Sequence, residues 1–178
     1  METLEVIARP HFAKVDLTWL TDIRSRRADS RGAPYFTLVF AGADLKPTVF
    51  VDAVRAHVEG LHPIHFRLRS ALVAPEPMAG CFHVFLIPDE GFGAILRLHD
   101  LLHGGAIKAA LRLDRAYLPH ITVATTSDAV TARNLALALN QGGIDIHGHI
   151  DSVQVESRVG KTVNEVADIP LAKAGWFG

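Results

Sequence analysis

The chain has 178 residues, 49% of them hydrophobic, and a formal net charge of −1. The near-zero charge excludes the broad basic surface that grips long nucleic acids, so we expect no DNA partner. The single cysteine, Cys81, excludes an intramolecular disulfide framework and a thiolate zinc cluster. No apolar run reaches the ~18 residues of a membrane span and no leader pattern is recognisable, so we expect a cytoplasmic protein without a membrane partner.

Apolar spacing and turn signals predict alternating strands and helices along the chain. Asp16 is a typical N-cap for a helix whose apolar side carries Leu17 and Leu20. We expect the basic end of this helix to be solvated; it consists of Arg24, Arg26 and Arg27. The predicted elements are a strand at 3–8, this helix, a strand from Tyr35, a helix at 49–59, strands at 64–73 and 81–87, a helix at 93–102, a short helical or irregular piece at 106–115, a strand at 118–124, a helix at 129–140, and strands at 144–157 and 163–170.

The predicted strand at 64–73 alternates cleanly between apolar and polar side chains. Phe66 and Leu68 share one face, and the other face carries three basic side chains: His65, Arg67 and Arg69. That basic face is either open to water or lines a groove, where guanidinium groups bind phosphate in a bidentate manner. Both interpretations stay open.

Histidines elsewhere have a structural and a chemical interpretation. His83 lies in an apolar strand, so its imidazole packs against a hydrogen-bond partner or lines the groove. His99, Asp100 and His103 have a helical spacing that could bind a metal. Because only one carboxylate accompanies these imidazoles, and the helix dipole favours histidine near a C-terminus, we expect no metal site there. We expect His11, which follows a proline, to lie in a surface loop.

The stretch at 118–124, Leu-Pro-His-Ile-Thr-Val-Ala, is the strongest candidate for chemistry. As a strand it turns Ile121 and Val123 to one face, which packs, and His120 and Thr122 to the other. An imidazole and a hydroxyl side by side on a rigid strand can transfer a proton and hold a phosphate oxygen.

A similar stretch, Pro-Tyr-Phe-Thr-Leu-Val at 34–39, occurs half a chain earlier. Such an internal repeat suggests two similar lobes that each present one strand to a shared cleft. The order of elements predicts an α+β fold of mostly antiparallel strands backed by helices, whose two sheets face each other across a central groove. With no long linker in the chain, we expect residues 1–178 to form a single domain with two lobes.

The two stretches resemble the paired His-x-Thr/Ser motifs of the 2H phosphoesterase superfamily, which includes 2'-5' RNA ligase-like proteins and cyclic phosphodiesterases. The second motif matches, whereas Tyr35 stands where the family has its first histidine. The resemblance implies hydrolysis of 2',3'-cyclic phosphates or related diesters, or cleavage or joining of 2'-5' RNA linkages, without a metal or other cofactor. It implies that His120 is a general acid or base and that Thr37 and Thr122 bind phosphate.

Three functional interpretations follow. In the first, a monomeric phosphodiesterase acts on a nucleotide or RNA terminus, with His120 as base, Tyr35 as acid or phosphate ligand, and His83 or His65 assisting. In the second, the loss of one motif histidine leaves a protein that binds a nucleotide or RNA end without turning it over, because a phenol has a pKa near 10 and is a poor base. In the third, the groove binds an unrelated partner.

Overall fold

The computed structural model describes residues 2–27, 32–40, 45–114, 116–160 and 162–172. The α-helices among these residues are α1 (Lys14–Arg27), α2 (Pro47–Val58), α3 (Phe92–Leu102) and α4 (Ala129–Gln141), and a 3-10 helix spans Gly105–Ala110. The strands are β1 (Glu2–Ala8), β2 (His11–Phe12), β3 (Phe36–Val39), β4 (Ile64–Glu76), β5 (Cys81–Glu90), β6 (Ile121–Thr126), β7 (Ile146–Ile150), β8 (Ser152–Val159) and β9 (Thr162–Pro170).

The strands form two antiparallel sheets, which confirms the predicted α+β class. One sheet has four strands in the order β3-β1-β8-β9, and the other has five in the order β2-β7-β4-β5-β6. Each sheet takes strands from both halves of the chain, so neither sheet corresponds to one half of the sequence. The edge strands β3 and β6 carry the two similar stretches, one in each sheet.

The sequence at 144–157 is not one strand, as predicted, but two. β7 pairs with β4 in the five-stranded sheet, whereas β8 pairs with β1 in the four-stranded sheet, and only Asp151 separates them. The apolar side chains change phase at the break, because Ile146 and Ile150 occupy even-numbered positions and Val153 and Val155 occupy odd-numbered ones, and all four are buried. A phase change of this kind moves the apolar side chains to the other face of the chain.

Helix ends follow their local signals. Asp128 caps α4, since its carboxylate accepts hydrogen bonds from the backbone nitrogens of Val130 and Thr131. Pro47 starts α2, where its missing N–H costs nothing. α1 begins two residues before the predicted cap Asp16 and packs on β6.

The buried apolar side chains of both sheets and the helices form one contiguous core. No helix in the described part of the chain is both long and apolar enough to cross a membrane.

Candidate active site

A cavity of about 610 Å³ lies where β3 of one sheet approaches β5 and β6 of the other. Tyr35 and Thr37 line it from the β3 side, and His120 and Thr122 line it from the β6 side. Its volume is in the range of small-molecule sites, which is about 300–1,000 Å³. The two stretches singled out in the sequence, whose matching positions Tyr35 and His120 are 85 residues apart, therefore meet at one cavity.

The strand predicted at 118–124 begins three residues later, at Ile121, so His120 lies immediately before β6 and not within it. Proline has no N–H to offer a ladder, so regular pairing starts only after Pro119. Ile121 and Val123 are fully buried, as the alternation predicts, while Thr122 and His120 face the cavity. The His120 Nδ1 donates a hydrogen bond to the Leu118 carbonyl oxygen at 2.6 Å, because a carbonyl only accepts. The Nε2 of the neutral ring is therefore a proton acceptor.

The protonation of His120 is set mainly by its burial. Burial lowers its pKa to about 4; the hydrogen bond to Leu118 opposes this shift, and the nearby His83 adds to it. The imidazole ring also stacks on Phe85, with ring centroids 3.6 Å apart. At neutral pH His120 is thus an uncharged base held in a fixed orientation.

His83, on β5, also lines the cavity. Its ring stacks with Phe85 at 5.7 Å, and its Nδ1 lies 3.0 Å from the Thr125 hydroxyl oxygen. Burial lowers the pKa of His83, and the charge of Glu76 opposes that shift. The ring of Phe85 therefore stacks with both His83 and His120.

Arg24 was expected at a solvated helix end, and that expectation is wrong. Only 3% of the residue is exposed, and it lines the cavity. Its Nη1 donates a hydrogen bond to the Thr122 carbonyl oxygen at 2.5 Å, and its Cζ lies 5.5 Å from the centroid of the Tyr35 ring. Arg24 lies four positions after the fully buried Leu20, so both side chains lie on one face of α1. That spacing is the signal that could have identified it.

The described residues do not fully neutralise the positive charge of the Arg24 guanidinium. Its Nε is buried without a hydrogen-bond partner, and no carboxylate pairs with the guanidinium among residues that the structure describes. Burial lowers the pKa of Arg24, with Tyr35 opposing the shift, but a guanidinium remains charged in proteins. A buried cation without a counter-charge is costly, so the cavity favours an anion beside it.

Three residues predicted as possible groove residues do not belong to this cavity. Among the described residues that line it, none is His65, Arg67 or Arg69. Arg67 pairs with Asp145 and Glu90, and Arg69 pairs with Asp89. β4 reaches the cavity at Ala74, nine residues and about 30 Å of extended chain beyond His65. The alternation correctly predicted a polar face but not which part of this long strand meets the cavity.

The histidines at the end of α3 contribute to the cavity wall. His99 and His103 are both buried, and their rings lie 4.3 Å apart. The His99 Nδ1 lies 3.0 Å from Asp100, and the His103 Nδ1 donates to the His99 carbonyl oxygen at 2.8 Å. Burial lowers the pKa of His99, with Asp100 opposing and His103 adding to the shift. One nitrogen of each ring therefore has a hydrogen-bond partner that belongs to α3.

Several solved structures share this fold. Escherichia coli LigT complexed with 3'-AMP superposes with a TM-score of 0.61 at 13% identity, covering 96% of this chain and 98% of that one. Kluyveromyces marxianus Usb1 superposes with a TM-score of 0.54 at 10% identity, covering 94% and 97%. Usb1 with uridine monophosphate gives 0.53 at 10% identity, covering 95% and 98%. At these identities the similarity establishes the fold, which is that of the 2H phosphoesterases.

The family follows from the sequence comparison. Residues 14–162 match the model of the 2'-5' RNA ligase superfamily, and the chain therefore belongs to that superfamily. The resemblance inferred from the two motifs is thus confirmed. Comparison with curated proteins gave no significant match.

Proposed function

We propose that the protein is a phosphodiesterase that hydrolyses a 2',3'-cyclic phosphate, a 2'-5' RNA linkage or a related nucleotide diester in this cavity. The observation that carries the proposal is the meeting of Tyr35, Thr37, His120 and Thr122 at one cavity between the sheets. Membership of the 2'-5' RNA ligase superfamily supports the same class of reaction.

In the proposed reaction His120 is the general base. Its Nε2 accepts a proton from water as the water oxygen bonds to phosphorus, and the bond from phosphorus to the 2'- or 3'-oxygen breaks. The Tyr35 hydroxyl donates its proton to that leaving oxygen. The proton on His120 then returns to Tyr35 through solvent, so the net change is the addition of water to give a phosphomonoester. Since these side chains supply both proton transfers, we expect the reaction to proceed in EDTA.

Phosphate binding in this proposal combines hydroxyl groups and a buried charge. The Thr37 and Thr122 hydroxyls donate to phosphoryl oxygens, and Arg24 supplies the positive charge and its free Nε–H. Charge-assisted hydrogen bonds of this kind are shorter and stronger than neutral ones. An anionic ligand would also relieve the cost of burying the Arg24 charge.

The proposed substrate is a nucleotide or an RNA end and not a long duplex. The chain carries almost no net charge, so a ligand is held locally in the cavity. The solved LigT structure contains 3'-AMP, which is chemically a product of opening a 2',3'-cyclic adenosine phosphate, and Usb1 contains uridine monophosphate. The monomeric state and the cytoplasmic compartment expected from the sequence stay predictions.

One observation favours a second function, nucleotide binding without turnover. Tyr35 stands at the position of the family's first motif histidine, and a positioned acid or base contributes about 10²- to 10⁴-fold to rate. If the phenol supplies no proton, the cavity retains its phosphate ligands but loses most of its catalysis.

The test is incubation of the purified protein with the four nucleoside 2',3'-cyclic phosphates in EDTA, scoring 2'- and 3'-phosphate products. The variant His120→Ala and the matched control His62→Ala, which removes an exposed histidine, are assayed in parallel. Turnover that only His120→Ala abolishes supports the hydrolase. Saturable binding without product, weakened in Thr37→Ala and Thr122→Ala, would replace it with the binding function.

A further inference from the structure

Two histidines and an aspartate lie together on the five-stranded sheet, on strands other than those that form the cavity. His11 on β2, His149 on β7 and Asp151 directly after β7 have ligand atoms that all lie within 4.8 Å of one another. In the described part of the chain this is the one group of three or more potential metal-ligand side chains that are this close. We propose that these three residues form a binding site for a divalent transition-metal ion such as Zn²⁺.

Strand pairing holds the two imidazoles in position. His11 and His149 are direct cross-strand partners, and their rings stack with centroids 5.0 Å apart. The His11 Nε2 lies 3.0 Å from the Asp151 Oδ1, close to the spacing of about 3.3 Å between neighbouring ligands of a tetrahedral zinc ion. Only modest side-chain rotation would complete the site, because His11 is exposed and the other two residues are half-buried.

A third imidazole lies beside His149. His65 on β4 is the cross-strand partner of His149 on its other side, and the two rings lie 5.5 Å apart. The three imidazoles therefore form a row across β2, β7 and β4. His65, which the sequence suggested as a groove residue, lies here.

The donor set determines the class of ion. Imidazole nitrogens with one carboxylate suit zinc, copper or nickel, whereas magnesium and calcium prefer all-oxygen ligands. Three protein ligands leave a fourth position open to water. This site is separate from the proposed active site. The cavity is lined by β5 and β6, which lie toward the opposite edge of the sheet from β2.

Metal binding would affect strand β2 most. This strand has only two residues and lies at the edge of the sheet. A bound ion would link β2 to β7 through side chains in addition to the short backbone ladder. β2 leads directly into α1, which carries Arg24. We therefore expect the ion to raise the melting temperature of the protein.

The experiment is titration of the metal-free, tag-free protein with Zn²⁺ at pH 7.5 by calorimetry, with melting temperatures measured with and without the ion. The variants are His149→Ala and Asp151→Asn, and the matched control is His147→Ala, an exposed histidine two residues away on the same strand. Circular dichroism without metal checks that each variant folds. Asp151→Asn keeps the backbone carbonyl that accepts from Leu171, so it tests the site if His149→Ala fails to fold.

We expect one Zn²⁺ per chain, at least about tenfold weaker binding in both site variants, and wild-type binding in His147→Ala. Mg²⁺ and Ca²⁺ should give no saturable binding. Three results would overturn the proposal: no saturable Zn²⁺ binding by the wild type, unchanged affinity in both site variants, or an equal loss in His147→Ala, which would mean that exposed histidines bind the ion without a defined site.

Discussion

The Tyr117 hydroxyl donates a hydrogen bond to the backbone carbonyl oxygen of Thr37 at 2.9 Å. This contact joins the segment that leads to His120 with strand β3, and so links the two halves of the candidate site across the sheets. Burial raises the pKa of Tyr117, so its hydroxyl keeps the proton that it donates. The ring is held independently by stacking on His99, with centroids 3.8 Å apart and planes at 7°.

Tyr117→Phe keeps the stacked ring and removes only this hydrogen bond. We expect a loss of about 1 kcal/mol in the free energy of unfolding, because the Thr37 carbonyl loses its partner. The melting temperature should fall by about 2–4 °C for a chain of this size. Thermal unfolding of the variant and the wild type measures the difference. An unchanged melting temperature would show that the bond does not hold the two strands together.

Arg24→Gln tests the buried charge. We expect the affinity for a nucleoside 3'-phosphate to fall about 10- to 100-fold, since hydrogen bonds to charged groups contribute about 1.5–3 kcal/mol. The melting temperature without ligand should not fall, because the substitution removes a buried charge that no carboxylate of the described residues neutralises. Calorimetry and thermal unfolding measure the two effects.

The matched control for this variant is Arg26→Gln on the same helix. The Arg26 side chain is 71% exposed and pairs with Asp22 at 2.9 Å, so its loss should leave ligand affinity unchanged. Equal affinities in the wild type and Arg24→Gln would contradict the proposed role of Arg24 in phosphate binding.

Tyr35→Phe tests the proposed acid. The ring that faces Arg24 is retained and only the hydroxyl is lost, so kcat should fall by about 10²- to 10⁴-fold with ligand affinity changed little. Tyr35→His should turn over faster than the wild type, because an imidazole has an ordinary pKa near 6.5 and is a better proton donor at neutral pH. Steady-state kinetics on a 2',3'-cyclic nucleotide give both values. A Tyr35→Phe enzyme as fast as the wild type would remove Tyr35 from the mechanism.

The lowered pKa of His120 predicts an unusual pH dependence. Since its pKa is about 4, lowering the pH from 7 to 5 should leave His120 unprotonated and kcat/KM nearly constant, with a fall only near pH 4. Burial thus moves the acidic limb below the value of about 6.5 expected for an ordinary imidazole. The unfolded chain binds this proton more readily than the folded one, so His120 makes stability fall as the pH drops from about 6.5 to 4.

NMR titration of the imidazole C–H signals, with His120→Ala to assign the resonance, measures the pKa directly. Circular dichroism at each pH separates unfolding from titration. A His120 resonance that titrates near pH 6.5 would contradict the buried, neutral base.

Local patterns in the sequence were sufficient for much of the fold and part of the site. The alternation around Ile121 and Thr122 identified the buried and the cavity-facing sides, and the helix predicted at 129–140 agrees with α4, which Asp128 caps. These features depend on neighbours in sequence, where side-chain periodicity and capping decide the structure.

Features that depend on tertiary packing could not be predicted in the same way. Arg24 lies in the last turn of a helix that looks solvent-exposed in the sequence, and its burial depends on the packing of α1 on β6. Arg67 has the geometry of a phosphate ligand, but Asp145, 78 residues later, neutralises it. At Asp151 the chain passes from one sheet to the other, and the local alternation of side chains does not specify the strand with which the next segment pairs.

The most direct test of the central claim is turnover of nucleoside 2',3'-cyclic phosphates in EDTA and ¹⁸O-labelled water, with the wild type and His120→Ala compared at equal concentrations. The account predicts that the wild type forms a phosphomonoester carrying one ¹⁸O atom and that His120→Ala loses about 10²- to 10⁴-fold in rate. Labelled product formed equally by both proteins, or by neither, would contradict the assignment of His120 as the base of a hydrolase.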